Sequence, residues 1–285
     1  MSDRLFHRQV KVTLAKPTGF FTQDSNAIEV TDLRVQFSVE KNLRQEPNKC
    51  DITITNLAKI TRAELQKKPL YVRIDAGYDG ELKRLFAGDL RFATSIQQGV
   101  DMHTKIQVAD GDRAFKFARV NRSFKAGVTA KDGVKEIAKQ MGLKFPENGY
   151  EAKLLLKQYA NGVSLSGRAE TQMTNLLKPQ GLGWSVQDGR LQILGPQGTR
   201  PDQALEISSN QGLIGSPQFG DPPAKGKKSS PILKLKCLLY PEIVPGGKIK
   251  VISEEVNGVF RVEKVVHAGD TYGAEFYSDV EAKEV

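Results

Sequence analysis

The sequence contains 285 residues, of which 39% are hydrophobic and 26% charged, a composition typical of globular proteins and not of disordered or membrane-embedded chains. The length predicts two or three domains. No apolar run approaches the roughly 20 residues that cross a bilayer, and the N-terminus has no signal-peptide core, so we expect the protein to stay in the compartment where it is made. The net charge of +9 is concentrated in residues 111–200, which carry 15 basic and 7 acidic side chains.

The first third of the sequence alternates apolar and polar residues, which is the pattern of half-buried strands. Strands are predicted around residues 33–39, 50–54, 70–76, 85–90 and 103–109. One short helix is predicted over 57–68, with Leu57, Ile60 and Leu65 on a common face and Pro69 ending it. We expect these strands to form an antiparallel sheet or barrel with one solvated face.

The middle third changes to the periodicity of helices. Residues 129–141 predict a helix that begins with a capping box between Thr129 and Asp132. A second helix is predicted to begin at Ser166, and its apolar face consists of Ala169, Met173, Leu176 and Leu177. Asp188-Gly189 separates two alternating runs, which indicates a two-residue β-hairpin. This third is therefore predicted to be a small α/β module.

The last third returns to strand patterns, around residues 205–207, 235–240, 248–252, 258–266 and 274–280. Segment 220–231 is rich in Pro, Gly and Lys, and we expect it to be a mobile basic loop. Its Lys225, Lys227 and Lys228 are interpreted as solubilising side chains. The tripeptide Ala-Gly-Asp occurs at 87–89 and again at 268–270, a faint indication of a duplicated domain.

Few residues of the sequence indicate a catalytic or metal-binding site. Cys50 and Cys237 lie in alternating apolar stretches, which predicts two free, buried thiols. Asp110-Gly111-Asp112 offers two carboxylates to a cation, but its position after a strand favours a plain turn. A zinc site is disfavoured because no histidine has a second ligand at zinc spacing; the three histidines are His7, His103 and His267.

No acyl-transfer or nucleotide-binding motif is present in the sequence. We therefore predict no catalytic, cofactor-binding or metal-binding residues. Paired carboxylates of the kind used by glycoside hydrolases have no fixed spacing in sequence, so the sequence alone does not exclude such a pair.

Cations and aromatic residues interleave in segment 111–125, a pattern that also occurs in sites for single-stranded nucleic acids. The residues are Arg113, Lys116, Arg119, Arg122 and Lys125 with Phe115, Phe117 and Phe124. The favoured interpretation is a strand or linker in which Phe115 and Phe117 face a core and the cations are solvated. Trp184, beside Leu182 and Val186, is interpreted as a core anchor.

The last third also carries a recognisable order of short motifs. These are Gly212-Leu-Ile-Gly-Ser-Pro217, Leu238-Leu-Tyr-Pro-Glu-Ile-Val-Pro-Gly246, Val256-Asn-Gly-Val-Phe-Arg-Val-Glu-Lys-Val-Val-His-Ala-Gly-Asp270 and Phe276-Tyr-Ser. In this order and spacing they resemble the baseplate hub proteins of contractile-tailed bacteriophages, including the Mu-like hubs and the late control protein D group. Segments 110–112, 126–130 and 182–185 support the resemblance.

The resemblance implies a mainly β protein with an inserted α/β module. Two tube-protein-like β-barrel domains, over 1–110 and 201–285, would flank a small α/β domain over 111–200. Three chains would form a homotrimeric ring whose six barrels adapt a six-fold tail tube to a three-fold spike. Such a hub is structural and not an enzyme, in line with the missing catalytic motifs.

The resemblance also implies partners and a location. The partners are the tail spike protein, the tail tube or a tube-adaptor protein, other baseplate proteins and the tape-measure protein, with DNA only as passing cargo in the ejection channel. The location is the tail baseplate of the virion, after synthesis and assembly in the bacterial host cytoplasm. A tail-associated peptidoglycan hydrolase is the alternative, and a nucleic-acid-binding module built on segment 111–125 is a third hypothesis.

Overall fold

The computed structural model describes residues 7–18, 23–67, 69–146, 151–220 and 231–285. Strands form where alternating apolar side chains share one face. In β3 (Val35–Asn42), for example, Val35, Phe37 and Val39 are buried while Ser38 is exposed. The sequence prediction of a mainly β fold is confirmed.

Three portions of the chain are distinguished by their elements. The first β portion, residues 1–110, contains β1 (Arg8–Pro17), β2 (Gln23–Val30), β3, β4 (Lys49–Thr55), α1 (Lys59–Leu65), β5 (Tyr71–Tyr78), β6 (Glu81–Gln98) and β7 (Asp101–Ala109). The last β portion, residues 201–285, contains β14 (Leu205–Ser208), β15 (Leu213–Phe219), β16 (Leu233–Leu238), β17 (Lys248–Ile252), β18 (Asn257–Asp270) and β19 (Phe276–Glu284).

The middle portion, residues 111–200, mixes short helices with short antiparallel pairs. Its elements are α2 (Asp112–Phe117), β8 (Arg119–Phe124), β9 (Val128–Thr129), α3 (Ala130–Gln140), α4 (Glu151–Leu156), β10 (Gln158–Tyr159), β11 (Val163–Arg168), α5 (Ala169–Leu177), β12 (Gly183–Gln187) and β13 (Arg190–Leu194). The strands pair as β8 with β11, β9 with β10 and β12 with β13.

Strands from both β portions lie in one large, mainly antiparallel sheet, which has 13 strands among the described residues. The main order is β15-β16-β19-β18-β3-β4-β7-β6-β5-β1-β2. In addition, β17 pairs with β18, and β14 runs parallel to β17. The two portions join where β18 pairs with β3, from Lys264 opposite Asn42 to Asp270 opposite Gln36. The predicted antiparallel sheet is confirmed, and its division into two barrels stays a prediction.

Each portion has an apolar core of its own. The core of the first β portion also takes in Leu239 and Phe276 from the last portion, which pack beside residues such as Phe37 and Tyr78. The middle core surrounds Trp184, and the last core lies between β14, β16, β17, β18 and β19. The domain bounds at residues 110 and 200 stay a prediction.

Local signals in the middle portion predicted its structure well. Helix α3 begins with the expected capping box, in which Asp132 N–H donates to Thr129 Oγ1 at 3.3 Å and Thr129 N–H donates to Asp132 Oδ2 at 3.2 Å. The hairpin of β12 and β13 turns at Asp188 and Gly189, whose φ angles are 53° and 76°. Two left-handed residues are what a tight type I′ hairpin turn requires.

Two predicted helices begin later than expected. Over 57–68 the helix covers only Lys59–Leu65, so Leu57 precedes it and Ile60 points away from the core with 79% of its surface exposed. Helix α5 begins at Ala169 and not at Ser166. The ladder of β11 with β8 continues to Arg168 and holds these residues in extended backbone.

The start of segment 111–125 is a helix and not the predicted strand or linker. Gly111, with a φ of 72°, allows α2 to begin, and helical spacing then separates Phe115 from Phe117. Phe115 is buried and stacks on Trp184 at 5.6 Å between ring centroids, whereas Phe117 is 67% exposed. The expectation that both rings face a core is therefore wrong. The extended structure predicted for the end of this segment is found in β8.

The two Ala-Gly-Asp segments both lie in strands and both carry a buried aspartate that pairs with an arginine. Asp89, in the middle of β6, accepts a hydrogen bond from Arg113 Nε at 2.6 Å. Asp270, at the end of β18, accepts one from Arg34 Nη2 at 2.6 Å. The local chemistry is alike but the places in the strands differ, so a duplicated domain stays a prediction.

Most of the predicted loop 220–231, with its three lysines, lies outside the described residues. Among the residues that are described, no helix is long and apolar enough to cross a membrane.

The capping box predicts a measurable contribution to stability. Thr129→Ala removes the hydroxyl that accepts from the Asp132 N–H and donates to Asp132 Oδ2 at 2.7 Å. We therefore expect the free energy of unfolding to fall by about 1 kcal/mol. Urea denaturation followed by circular dichroism measures this, with Thr129→Ser as the matched control that keeps the hydroxyl. Equal stabilities of the two variants would contradict the assignment.

Candidate functional site at the junction of the three cores

The β12–β13 hairpin brings the three portions together. Its turn, Asp188 and Gly189, contacts the ends of β3 and β7, and its Gln192 side chain donates to the carbonyl of Pro245 in the last β portion at 3.2 Å. Because the turn is tight and left-handed, it presents the Asp188 carboxylate and the Gly189 N–H in a fixed direction. The junction is therefore built around a single hairpin.

A buried lysine provides the main contact at this junction. Lys41, at the end of β3, has none of its surface exposed, and its Nζ lies 2.7 Å from Asp188 Oδ2. An ammonium group out of water is stable only when a negative charge and hydrogen bonds replace its hydration. The pair therefore fixes the hairpin to the sheet, and the fully buried ammonium of Lys41 depends on Asp188, whose side chain is 21% exposed.

A second carboxylate lies beside this pair. Asp110, fully buried after β7, accepts a hydrogen bond from the Gly189 N–H at 3.2 Å. Burial, and after it the nearby charge of Asp188, raises the pKa of Asp110 to about 8, although Lys41 acts in the opposite direction. One ammonium thus faces two carboxylates, and the fold favours the protonated form of Asp110.

Neutral side chains complete the contact between the first and middle portions. Asn48 donates through Nδ2 to the Val186 carbonyl at 3.0 Å and to Gln187 Oε1 at 2.9 Å. Gln187 in turn donates through Nε2 to the Asn42 carbonyl at 2.8 Å. These amides bond backbone and side-chain groups across the junction, so the polar cluster holds both portions in one register.

The second aspartate of the Asp-Gly-Asp motif ties α2 to β6. Asp112 accepts from Arg91 Nε at 2.7 Å and from Lys116 Nζ at 2.6 Å. Arg113 pairs with Asp89 of β6. The motif thus serves as a structural turn, and two cations of the basic segment are used inside the molecule and are not presented as a free basic surface.

The histidine of β18 borders the same junction from the last β portion. His267 is buried, and its Nδ1 lies 2.8 Å from Ser278 Oγ. Burial, and after it the charge of Lys41, lowers the pKa of His267 to about 3. The ring is therefore neutral at physiological pH and serves as a hydrogen-bonding core residue.

The other predicted candidates are separated in the structure. Cys50 and Cys237 are free and buried, as predicted, and burial raises the pKa of both thiols. His7 pairs with Asp79 at the surface. Trp184 is a core anchor, as predicted, and its Nε1 donates to a threonine hydroxyl at 3.0 Å. Within the described residues, no three His, Cys, Asp or Glu side chains converge as metal ligands.

A cavity of about 780 Å³ opens beside the junction hairpin. Its charged lining, here termed the basic cleft, is dominated by the cations Arg73, Lys83, Arg84, Arg190, Arg200 and Lys248. They come from all three portions of the chain, so the cleft exists only because the junction brings these portions together.

Carboxylates also line the basic cleft, but each is neutralised by an ion pair. Asp188 pairs with Lys41, and Asp202 pairs with Arg200 at 2.6 Å. Glu242 pairs with Lys83. None of these groups is placed as a free acid opposite a free base, which is what hydrolysis of a glycosidic bond requires.

Sequence reasoning missed Lys41, Asn48 and Gln187. A usable signal was present for Lys41, because the alternation of Val35, Phe37 and Val39 places residue 41 on the same, buried face of β3. No local pattern marks Asn48 or Gln187, since their partners are distant in sequence.

The fold is that of phage tail proteins. The 43 kDa tail protein of prophage MuSo2 from Shewanella oneidensis matches with a TM-score of 0.64 at 10% identity, covering 96% of both chains. The tail protein from Neisseria meningitidis MC58 matches at 0.63 and 12% identity, covering 98% of this chain and 97% of that one. The E. coli c3393 protein, a type VI secretion component described as similar to T4 tail proteins gp27 and gp5, matches at 0.59 and 12%, covering 89% and 74%.

The chain belongs to the baseplate hub gp41 family, whose model matches residues 9–282. The resemblance to baseplate hub proteins seen in the sequence is therefore confirmed. A comparison with curated protein sequences gives no significant match.

Breaking the buried ion pair should be costly. Lys41→Met leaves the partly buried Asp188 carboxylate without its counter-charge, so we expect a loss of about 3 kcal/mol in the free energy of unfolding. The matched control is Lys264→Met, which breaks the partly exposed pair with Glu40 and should cost less than about 1 kcal/mol. Denaturant titration measures both, and equal losses would contradict the role of Lys41.

The raised pKa of Asp110 predicts a pH dependence. Between pH 4 and 8 the unfolded chain releases the proton of this carboxyl while the folded chain keeps it, so stability falls as the pH rises through this range. Asp110→Asn cannot ionise. We therefore expect its melting temperature, relative to the unmodified protein, to rise between pH 5 and pH 9. A difference that stays constant over this range would show that Asp110 is ionised throughout.

Proposed function

We propose that the chain is a structural, non-enzymatic hub of a contractile-tail baseplate, and that three copies form a ring between a six-fold tail tube and a three-fold spike. The observation that carries the proposal is the junction of the two β portions, each with its own core, in one sheet through β3 and β18. Two rigidly linked β units per chain give six units in three chains. A three-fold ring of chains can therefore present six similar units to a six-fold tube.

The same proposal assigns domains and partners. Residues 1–110 and 201–285 would be the two tube-like barrel domains, and residues 111–200 the α/β domain between them. The partners would be the spike, the tube or a tube adaptor, other baseplate proteins and the tape-measure protein, with DNA passing through the ring during ejection. Assembly in the host cytoplasm would precede incorporation into the virion baseplate. Similarity to tail and type VI secretion proteins supports this setting.

The native mass of the purified chain tests the ring. We expect a species of three times the 31.5 kDa chain mass, and negative-stain class averages that show an open centre with a near-six-fold outline. If the chain alone is monomeric, the same measurement is made after mixing with tube and spike proteins. Absence of a ring under both conditions would contradict the proposal.

Zymography on peptidoglycan tests the alternative function, a tail-associated hydrolase. The hub proposal predicts no cleared band from the purified chain. A cleared band that disappears on substitution of a cleft carboxylate, such as Glu242→Gln, would replace the structural function with an enzymatic one.

A further inference from the structure

Three cations of the basic cleft have no ion-pair partner among the residues that the structure describes. Arg84, Arg190 and Lys248 line the cavity, and no described carboxylate lies within salt-bridge distance of any of them. Arg84 and Arg190 are exposed. After its internal pairs are taken into account, the cleft therefore presents a net positive surface to a partner.

The chain also carries a compact acidic feature. Glu254 and Glu255 form its only pair of consecutive acidic residues, and they lie exposed at the tip between β17 and β18. The tip is rigid because Ser253 N–H donates to the Val256 carbonyl at 2.9 Å and Val256 N–H donates to Ser253 Oγ at 3.0 Å. Two adjacent carboxylates on a tight tip repel each other, and among the described residues neither has an ion-pair partner.

The acidic tip does not reach the cleft of its own chain. Strand β17 begins at Lys248, in the cleft, and ends at Ile252, just before the tip. An extended strand advances roughly 3.3 Å per residue, so about 15 Å of regular strand separates the two features. They lie at opposite ends of β17, so a contact between them joins two different surfaces of two molecules, which is a head-to-tail contact.

We propose that the acidic tip of one copy, Glu254 and Glu255, docks into the basic cleft of a second copy against Arg84, Arg190 and Lys248. The contact rests on the proposed ring, and it would give that ring its direction, because tip and cleft are different surfaces and meet only head to tail. It is largely electrostatic, so it weakens with added salt.

A second copy suits the cleft better than a nucleic acid does. Arg200 and Lys83 are already paired with Asp202 and Glu242, so the cations left free do not form the continuous basic track that a phosphate backbone requires. No aromatic side chain is among the described residues that line the cavity, so unpaired bases find no stacking surface there.

A charge-swap series on the full-length chain tests the contact. Arg84→Glu with Arg190→Glu, and separately Glu254→Lys with Glu255→Lys, should each weaken ring formation roughly tenfold or more by mass photometry. The chain that carries all four substitutions should recover the ring, since opposite charges face each other again. Circular dichroism and thermal melting establish that each variant is folded.

The matched control is Arg122→Glu with Lys125→Glu, which makes the same change in net charge on exposed residues of the middle portion outside the cleft. It should leave ring formation unchanged. The tip-to-cleft contact would be overturned if rings still form with either charge swap, or if the control variant weakens ring formation as much as the swaps do. Either result would leave the ring proposal intact. An unmodified chain that forms no ring, alone or with tube and spike, would instead overturn the ring proposal and this contact with it.

Discussion

The ion pair between Lys41 and Asp188 is the constraint on which the arrangement of the molecule depends. It joins the end of a central strand to the turn of a hairpin in another portion. Lys41 is fully buried, so water cannot replace Asp188 as its partner, whereas the Asp188 side chain is 21% exposed. A buried charge tolerates little displacement, because moving away from its partner removes the hydrogen bond that replaces its hydration. The hairpin is therefore held in one position, and the basic cleft beside it has one shape.

Local rules predicted much of the fold, and the places where they failed have a common cause. Alternation predicted β3 and β17, the Thr129 and Asp132 pair predicted the start of α3, and Asp188-Gly189 predicted a hairpin, because each signal lies within a few residues of its effect. The expectation for Phe117 failed because its segment is helical and Phe115 packs on Trp184, a residue distant in sequence. Propensity is overridden wherever tertiary contacts compete with it.

The candidate site was hardly predictable, for a related reason. The basic cleft combines residues from β5, β6, β13 and the segments around 200 and 248, and no window of sequence contains more than a part of it. The pairing of β18 with β3 is equally invisible, since it joins residues more than two hundred positions apart. Only Lys41 carried a readable signal, as a cation on the apolar face of an alternating strand.

The excess positive charge of the middle portion acquires a specific meaning from this geometry. Arg113 and Lys116 neutralise aspartates that fasten α2 to the sheet, whereas Arg190 and Arg200 lie in the cleft. The first pair stabilises the fold and gives no attraction to a partner, so net charge alone overstates the capacity to bind DNA. The remaining positive charge is divided between the cleft beside the junction and exposed cations such as Arg122 and Lys125 outside it. The position of each charge, and not the net charge, therefore decides which acidic surface it can meet.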